Sequence, residues 1–411
     1  MSRRLQRITA TTDVHSAFEQ AASFLTHLHA ARADSLIVDC GDFFEGTGFY
    51  RLGKGRIEHE ILTTLYDLLA PGNHGWPHYF EPRLHAMTVC ANATDHKGNS
   101  LFDRLRIRMI GGLRVAITAV ISPAAFATIP AEQRCGHRVT DPAQALRTVM
   151  LEHHQQADAW VVLSHSGFEA DRVLAVACPF ADVIFSGHCH SDAYGPEHIG
   201  NALVVKGREL GSGYAVARPG AGTSWIARTD TFPDADGGTV SDELSATYDE
   251  VTQISGMLAT PLGALRDRYR GTQMDRHQLL QEIADRLHTG LGADGVILNE
   301  TALRTVPLGD QLTLGDLLAV EPFDNQLVHA FLPDGQAADL NALRDHLTEH
   351  VGPLATAPDP LPPGIRSVVT TNYLADTHLG GRTHQAGLPL GQAVRSTLTT
   401  PLPDEQQAGA R

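Results

Sequence analysis

Apolar positions in residues 1–230 alternate between short continuous runs and longer stretches with helical spacing. Arg7–Thr12, Ser35–Asp39, Met87–Ala91, Val115–Ile121, Ala159–Leu163 and Asp182–Ser186 carry the apolar, β-branched composition of buried strands. Between them, Ala17–Ala31, Arg56–Leu69, Asp141–His153 and Glu169–Ala177 repeat apolar residues at helical intervals. This alternation predicts a layered α/β domain. Ala202–Thr231 has several β-type runs separated by glycines and closes that domain. The polar, Gly-containing break Phe232–Gly238 marks a boundary. Beyond it, Ser241–Arg270 has the composition of a connecting helix. Met274–His288 predicts another helix, which leads into a strand at Gly295–Leu298 and a second mixed α/β region reaching about residue 396. Ala357–Pro363 is a Pro-rich loop and Thr400–Arg411 a frayed tail. The expected division is a first domain over 1–235, a connecting helical segment over 236–285 and a second domain over 286–411.

Composition narrows the class. At 411 residues the chain is too long for a single core. No apolar stretch of about eighteen residues is present, so no membrane partner is expected. Arg3, Arg4 and Arg7 are not followed by an apolar leader before the first motif, which predicts a cytoplasmic location. The five cysteines are scattered, odd in number and without CxxC spacing, as in a reducing compartment. A net charge of −15 repels duplex nucleic acid. A small anion can still bind wherever divalent cations dominate the local field. The oligomeric state is left open. With 22 histidines in the chain, a lone His is a weak signal and only patterned ones count.

Five such patterns occur, all but one after an expected strand or in the loop that follows one. They are Asp13-Val14-His15, Gly41-Asp42, Gly72-Asn73-His74, Ser164-His165 and Gly187-His188-Cys189-His190. Groups just beyond the carboxyl ends of strands in an open α/β sheet converge on one crevice. Gly72-Asn73-His74 is the exception in the expected order, since it follows the helix ending near Ala70. Carboxylate, amide oxygen and imidazole are hard-to-borderline donors, suited to Zn²⁺, Mn²⁺, Fe or Co²⁺. In an extended segment, the alternation in Asp-Val-His and His-Cys-His puts the outer side chains on one face. Taken singly, Asp13 or Asp42 is an ordinary turn or cap carboxylate and His165 a hydrogen-bonded histidine. Cys189 points the other way and packs as a small apolar residue.

In order and spacing, these motifs resemble the calcineurin-like metallophosphoesterase superfamily and, within it, the 5'-nucleotidase family. The resemblance implies a four-layer α/β/β/α sandwich followed by a smaller mixed α/β domain joined to it by a helix. It implies two divalent metal ions, one held by Asp13, His15, Asp42 and His190, the other by Asp42, Asn73, His165 and His188. His74 would lie near the substrate phosphate, stabilising the transition state or protonating the leaving oxygen. The likeness continues through Gly295–Asn325 and Thr371–Ala375. Arg304 would contact phosphate, Phe323 and Asn325 the base, and Tyr373 the other face of that base. The implied activity is hydrolysis of a phosphomonoester, a nucleoside 5'-monophosphate foremost, by a metal-activated hydroxide. Cyclic-nucleotide phosphodiesterase, nucleotide-sugar pyrophosphatase and thiosulfohydrolase-like chemistry are rivals on the same fold. A metal-loaded nucleotide-binding module with weak turnover is the rival that is not an enzyme.

Two departures stand out. Pro77 occupies the position where the family carries an Asp that orients the motif histidine. His74 then needs another carboxylate to set its tautomer, with Glu45 and Glu81 as candidates. After Tyr373, Asp376–Gly381 replaces the family's glycine-rich turn.

Overall fold

A computed structural model describes residues 3–222, 224–234 and 240–400. The chain forms two compact units, Met1–Ile254 and Ser255–Arg411, and passes from one to the other within the helix Ser245–Leu258. Part of the expected boundary at Phe232–Gly238, and all but the first residue of the expected tail, lie outside the described residues.

The first unit is built on two sheets. One has the strand order Trp225–Thr231, Gly213–Pro219, Arg7–Thr11, Ser35–Asp39, Leu68–Leu69; the last three run parallel, with Thr11 opposite Asp39 and Val38 opposite Leu68. The other runs Glu197–Ile199, Ala202–Lys206, Val183–Ser186, Ala159–His165, Leu113–Ile121, Arg106–Ile110, with a parallel centre and antiparallel edges. Period-2 alternation decides what each strand face meets. Val161 and Leu163 point into the core shared with Ile8, Leu36 and Val38 of the first sheet. Trp160 and Val162 point outward, onto Leu146 and Val149 of the helix Pro142–His153 and Phe168 and Leu174 of the helix Phe168–Ala177. The helix Ala21–Ala31, with Phe24, Leu25 and Leu28 buried, packs beside the strand Ser35–Asp39. The result is the expected four-layer α/β/β/α sandwich. Each fully buried aliphatic side chain contributes roughly 1.5–3 kcal/mol to it.

The second unit centres on a mixed sheet ordered Leu354–Ala357, Val296–Asn299, Ser367–Thr371, Gln326–Phe331, Thr383–Pro389. The same alternation sends Val296 and Leu298 toward Leu279, Ile283 and Leu287 of the helix Arg276–Leu291, and Ile297 toward Leu343 and Leu347 of the helix Leu340–Val351. Among the described residues, no helix is long and apolar enough to cross a membrane.

Three local expectations are corrected. Met87–Ala91 is not a strand: Met87 ends the helix Pro82–Met87, and Thr88 and Val89 make only isolated bridges to Leu69 and Asp103. The helix expected over Arg56–Leu69 stops at Leu65, where Tyr66 turns extended and Leu68–Leu69 joins the sheet edge. The connecting helix expected over Ser241–Arg270 is a 3-10 turn at Asp242–Leu244 and an α-helix that ends at Leu258, after which Pro261–Ala264 pairs with Gln311–Thr313 as strands.

Candidate metal centre

The early end of the Arg56–Leu65 helix has a consequence for the site. Gly72-Asn73-His74 now follows the strand Leu68–Leu69, so four of the five motifs lie beyond strand carboxyl ends and the fifth, Ser164-His165, forms the carboxyl end of its own strand. They are drawn into one place by close backbone approach. The Asp13 N–H donates to the Gly41 carbonyl (3.0 Å) and the His15 N–H to the Asp42 carbonyl (2.9 Å). A Cβ on Gly72 would stand 2.1 Å from Asp42 Oδ1, and one on Gly41, at φ +98°, 2.5 Å from His165 Nδ1. Only glycine fits either position.

The extended geometry expected for Asp-Val-His is not adopted. Asp13 (φ 48°), His15 (φ 51°) and Asp42 (φ 56°) occupy the left-handed region, as does His188 (φ 78°). The side chains converge through tight turns held by tertiary backbone bonds, not by strand alternation. His188 and His190 consequently serve different clusters. Ligand atoms of Asp13, His15 and His190 lie within 4.8 Å of one another, as do those of Asp42, His165 and His188, and of His15, Asp42 and His74. Asn73 Oδ1 is 3.0 Å from His165 Nε2, which is itself 3.3 Å from Asp42 Oδ2.

The donor set fits divalent cations. Asp13, Asp42 and His165 are fully or almost fully buried, yet two carboxylates and several imidazoles face one another. His165 Nδ1–H donates to the Cys40 carbonyl (2.8 Å) and His15 Nδ1–H to the Glu45 carbonyl (3.2 Å), which leaves both Nε2 atoms as donors toward the cage. Asp13 accepts from the His188 N–H and from the Thr12 hydroxyl. In the protein alone, these groups share charge among themselves. Burial raises Asp13. Burial would raise Asp42 too, but His165, His74 and His15 hold it well below the usual carboxylate range. Burial would lower His165, but Asp42 and Asp13 pull it up to about 9; burial and the neighbouring His165 lower His188 to about 4. Asp39, pushed up to about 8 by burial, bonds to Thr11 and the Gly41 N–H just behind the cage. Cys189 packs away from it, its Sγ accepting from the Phe168 N–H.

His74 has an acidic partner after all. Its Nδ1 lies 3.1 Å from Glu45 Oε2, while Glu81 is taken by His78. In the second unit, Phe323 and Tyr373 are each about half exposed, at 48% and 49%, and are not in ring contact with one another among the described residues. The Arg304 guanidinium sits 5.6 Å from the Phe323 ring centre. Asn325 is buried, and its Nδ2 donates to Glu321 Oε1 (3.2 Å).

Pattern reading did not pick out Lys206. It ends the apolar strand Ala202–Lys206, is completely buried, and donates from Nζ to the carbonyls of Cys189 (2.8 Å) and Ser191 (2.6 Å), on either side of His190. Glu209 is its ion-pair partner at 3.5 Å. A lone Lys closing an apolar run was the only clue. Replacing Lys206 with Met strands Glu209 and two carbonyls, and is expected to destabilise the first unit by about 3–5 kcal/mol and to weaken metal retention. Thermal melting and metal content check this; a variant unchanged in both would refute the clamp.

Residues 6–192, which contain every cage residue, match the family model for calcineurin-like phosphoesterases. An uncharacterized metallophosphoesterase of Bacillus subtilis (strain 168), YunD, is 27% identical over 224 residues, covering 50% of this chain and 48% of that protein. Mouse 5'-nucleotidase is 25% identical over 222 residues, covering 46% of this chain and 38% of that one. The chain thus spans less than half the length of these curated relatives. Among solved structures, the 5'-nucleotidase precursor of Thermus thermophilus superposes with a TM-score of 0.69 at 18% identity, over 96% of both chains. The 5'-nucleotidase of Candida albicans gives 0.67 at 14%, over 97% of this chain and 99% of that one. These structural likenesses are of fold, and they extend over both units.

Proposed function

We propose, from the premise that this chain belongs to the calcineurin-like phosphoesterase family, that it hydrolyses a phosphomonoester, with a nucleoside 5'-monophosphate or a related nucleotide as substrate. The observation that carries this reading is the buried carboxylate–imidazole cage with an oriented histidine, His74, at its edge. Asp13, His15 and His190, with Asp42, would hold one divalent cation; Asp42, Asn73, His165 and His188 would hold a second. Such cations supply Lewis-acid polarisation of a phosphoryl oxygen and acidify a water.

The chain's own residues do the rest. The backbone carbonyls of Cys40 and Glu45 fix the ring orientations of His165 and His15, so that their Nε2 atoms face inward before substrate arrives. Glu45 accepts the Nδ1 proton of His74, which leaves that ring's Nε2 to stabilise charge on, or deliver a proton to, the leaving oxygen. Pro77 favours the rival reading as a weakly active binding module, and against it Glu45 offers His74 the carboxylate that Pro77 lacks. A base held between Phe323 and Tyr373, with Arg304 beside Phe323, would give the preference for a nucleotide, a reading supported by the exposure of both rings.

The test is phosphate release from a nucleotide panel by protein stripped of metal and reloaded with Mn²⁺, Co²⁺ or Zn²⁺. Release from monophosphates supports the reading. Binding without release under every metal supports the module, and preferential cleavage of cyclic or diphosphate-linked substrates supports the rival hydrolases. Replacing Tyr373 with Ala is expected to raise KM for nucleotides roughly 5–150-fold, the range of ~1–3 kcal/mol for a stacked base, while leaving a small aryl phosphate almost unaffected. Equal losses on both substrates would remove base stacking from the account.

A further inference from the structure

Three more histidines converge in the second unit, far along the chain from the cage motifs. His346 and His350 are exposed and stand one turn apart on the helix Leu340–Val351; His378, half-buried, is the last residue of the helix Asn372–His378. The i, i+4 spacing puts the first two on one helix face. Ring centroids are 4.2 Å apart for His346 and His350, 5.8 Å for His346 and His378, and 5.9 Å for His350 and His378. His350 Nδ1–H donates to the His346 carbonyl at 2.8 Å, which leaves its Nε2 with a free lone pair. The cage uses the same device for His15 and His165. Gln336 Nε2 donates to the His378 carbonyl (3.1 Å) and so helps fix the end of the helix that carries the third ring.

We propose that His346, His350 and His378 form a second metal site, a three-imidazole site for a borderline transition cation such as Zn²⁺, Ni²⁺ or Cu²⁺. An all-imidazole donor set discriminates against hard cations such as Mg²⁺ and Ca²⁺, which require oxygen. Three protein ligands leave one position open to water or an exogenous ligand. The rings meet at interplanar angles of 40°, 68° and 60° and are not aimed at one point, so closing on a cation requires rotation about side-chain bonds. Such rotation is inexpensive at exposed positions. A bound cation would cross-link the last turns of the two helices, five residues beyond Tyr373 on the second of them. The site stands independently of the activity assigned to the cage.

The test uses the full chain with its cage loaded with Mn²⁺, the first-row divalent transition ion that nitrogen donors hold least well. Titration with Zn²⁺ is followed by calorimetry and metal analysis, for wild type and for the double variant His346→Gln/His350→Gln. Wild type is expected to bind one equivalent more than the double variant, and His378→Gln to weaken that equivalent by at least the roughly 10–100-fold typical of an outer-shell loss. Equal stoichiometry in wild type and double variant would overturn the site. An unaffected His378→Gln would reduce it to a two-histidine surface chelate and overturn the three-ligand assignment. A readout that needs no variant is acylation of histidines by diethyl pyrocarbonate in the wild-type protein. Zn²⁺ should protect the peptides containing His346, His350 and His378 together, and modification unchanged by Zn²⁺ would equally refute the proposal.

Discussion

Replacing Asp42 with Asn is expected to remove both metal retention and turnover from a protein that still folds. Asp42 belongs to two of the three ligand clusters and also accepts a main-chain bond beside them. Its Oδ1 accepts from the His74 N–H (2.7 Å), while its Oδ2 lies 3.3 Å from His165 Nε2 and 3.7 Å from His15 Nε2. Asn has nearly the same shape, so the contact with Gly72 and the left-handed backbone at 42 are preserved. What is lost is the buried negative charge that a bridging position requires and that the surrounding imidazoles are arranged to meet. Loss of an outer-shell partner typically lowers metal affinity or activity about 10–100-fold, and loss of a shared ligand should exceed that range. Metal analysis and kcat/KM after reloading provide the check, with circular dichroism to confirm the fold. A variant that kept its metals would show that the two cations do not share Asp42.

Much of this site was legible in the sequence because its chemistry lives in short patterns. Asp-Val-His, Gly-Asp, Gly-Asn-His, Ser-His and Gly-His-Cys-His each combine a glycine or strand end with donors of one chemical class, and sequence order alone lines them up. The layers were legible for a related reason: strands such as Ala159–His165 alternate their two apolar faces cleanly. What could not be read is held by tertiary contacts. A strand as short as Leu68–Leu69 has no period, so the preceding helix seemed to run through it. The left-handed turns at Asp13 and His15 depend on backbone bonds to Gly41 and Asp42, and that at His188 on its N–H bond to the Asp13 carboxylate, all between residues far apart in sequence. Met87–Ala91 has strand composition, but its neighbours offer only single bridges, and a strand without a partner ladder does not form. Lys206 is invisible as a clamp until the loop it holds, Cys189–Ser191, is laid across it.

The second large effect is expected at Glu45, a residue that sequence reasoning could name only as one of two candidates. The loop carrying it is laced to the first motif. The Ser16 N–H donates to the Phe43 carbonyl (2.9 Å), the Thr47 hydroxyl to the Ser16 carbonyl (2.6 Å), and Gly46 packs so closely on His15 that a Cβ there would stand 2.9 Å from that ring's own Cβ. Held in this way, Glu45 orients two imidazoles with different atoms: its backbone carbonyl serves His15 and its carboxylate serves His74. Substitution separates the two roles. Glu45→Ala keeps the carbonyl and should retain metal, yet lower kcat on a nucleoside monophosphate about 100-fold, the lower end of what general acid–base catalysis contributes. Glu45→Gln keeps an acceptor for the Nδ1 proton and should lose only about tenfold, the lower end for an outer-shell partner. If metal is lost in Glu45→Ala, Glu45 acts through the cage and not through His74. If kcat is unchanged, it does not orient His74 for chemistry. The leaving group then reports what His74 does. A nucleoside alkoxide needs a proton as it departs and a nitrophenolate does not, so the loss should shrink on nitrophenyl phosphate if His74 delivers that proton. A loss of the same size on both substrates would assign His74 to stabilising charge on the phosphoryl group instead.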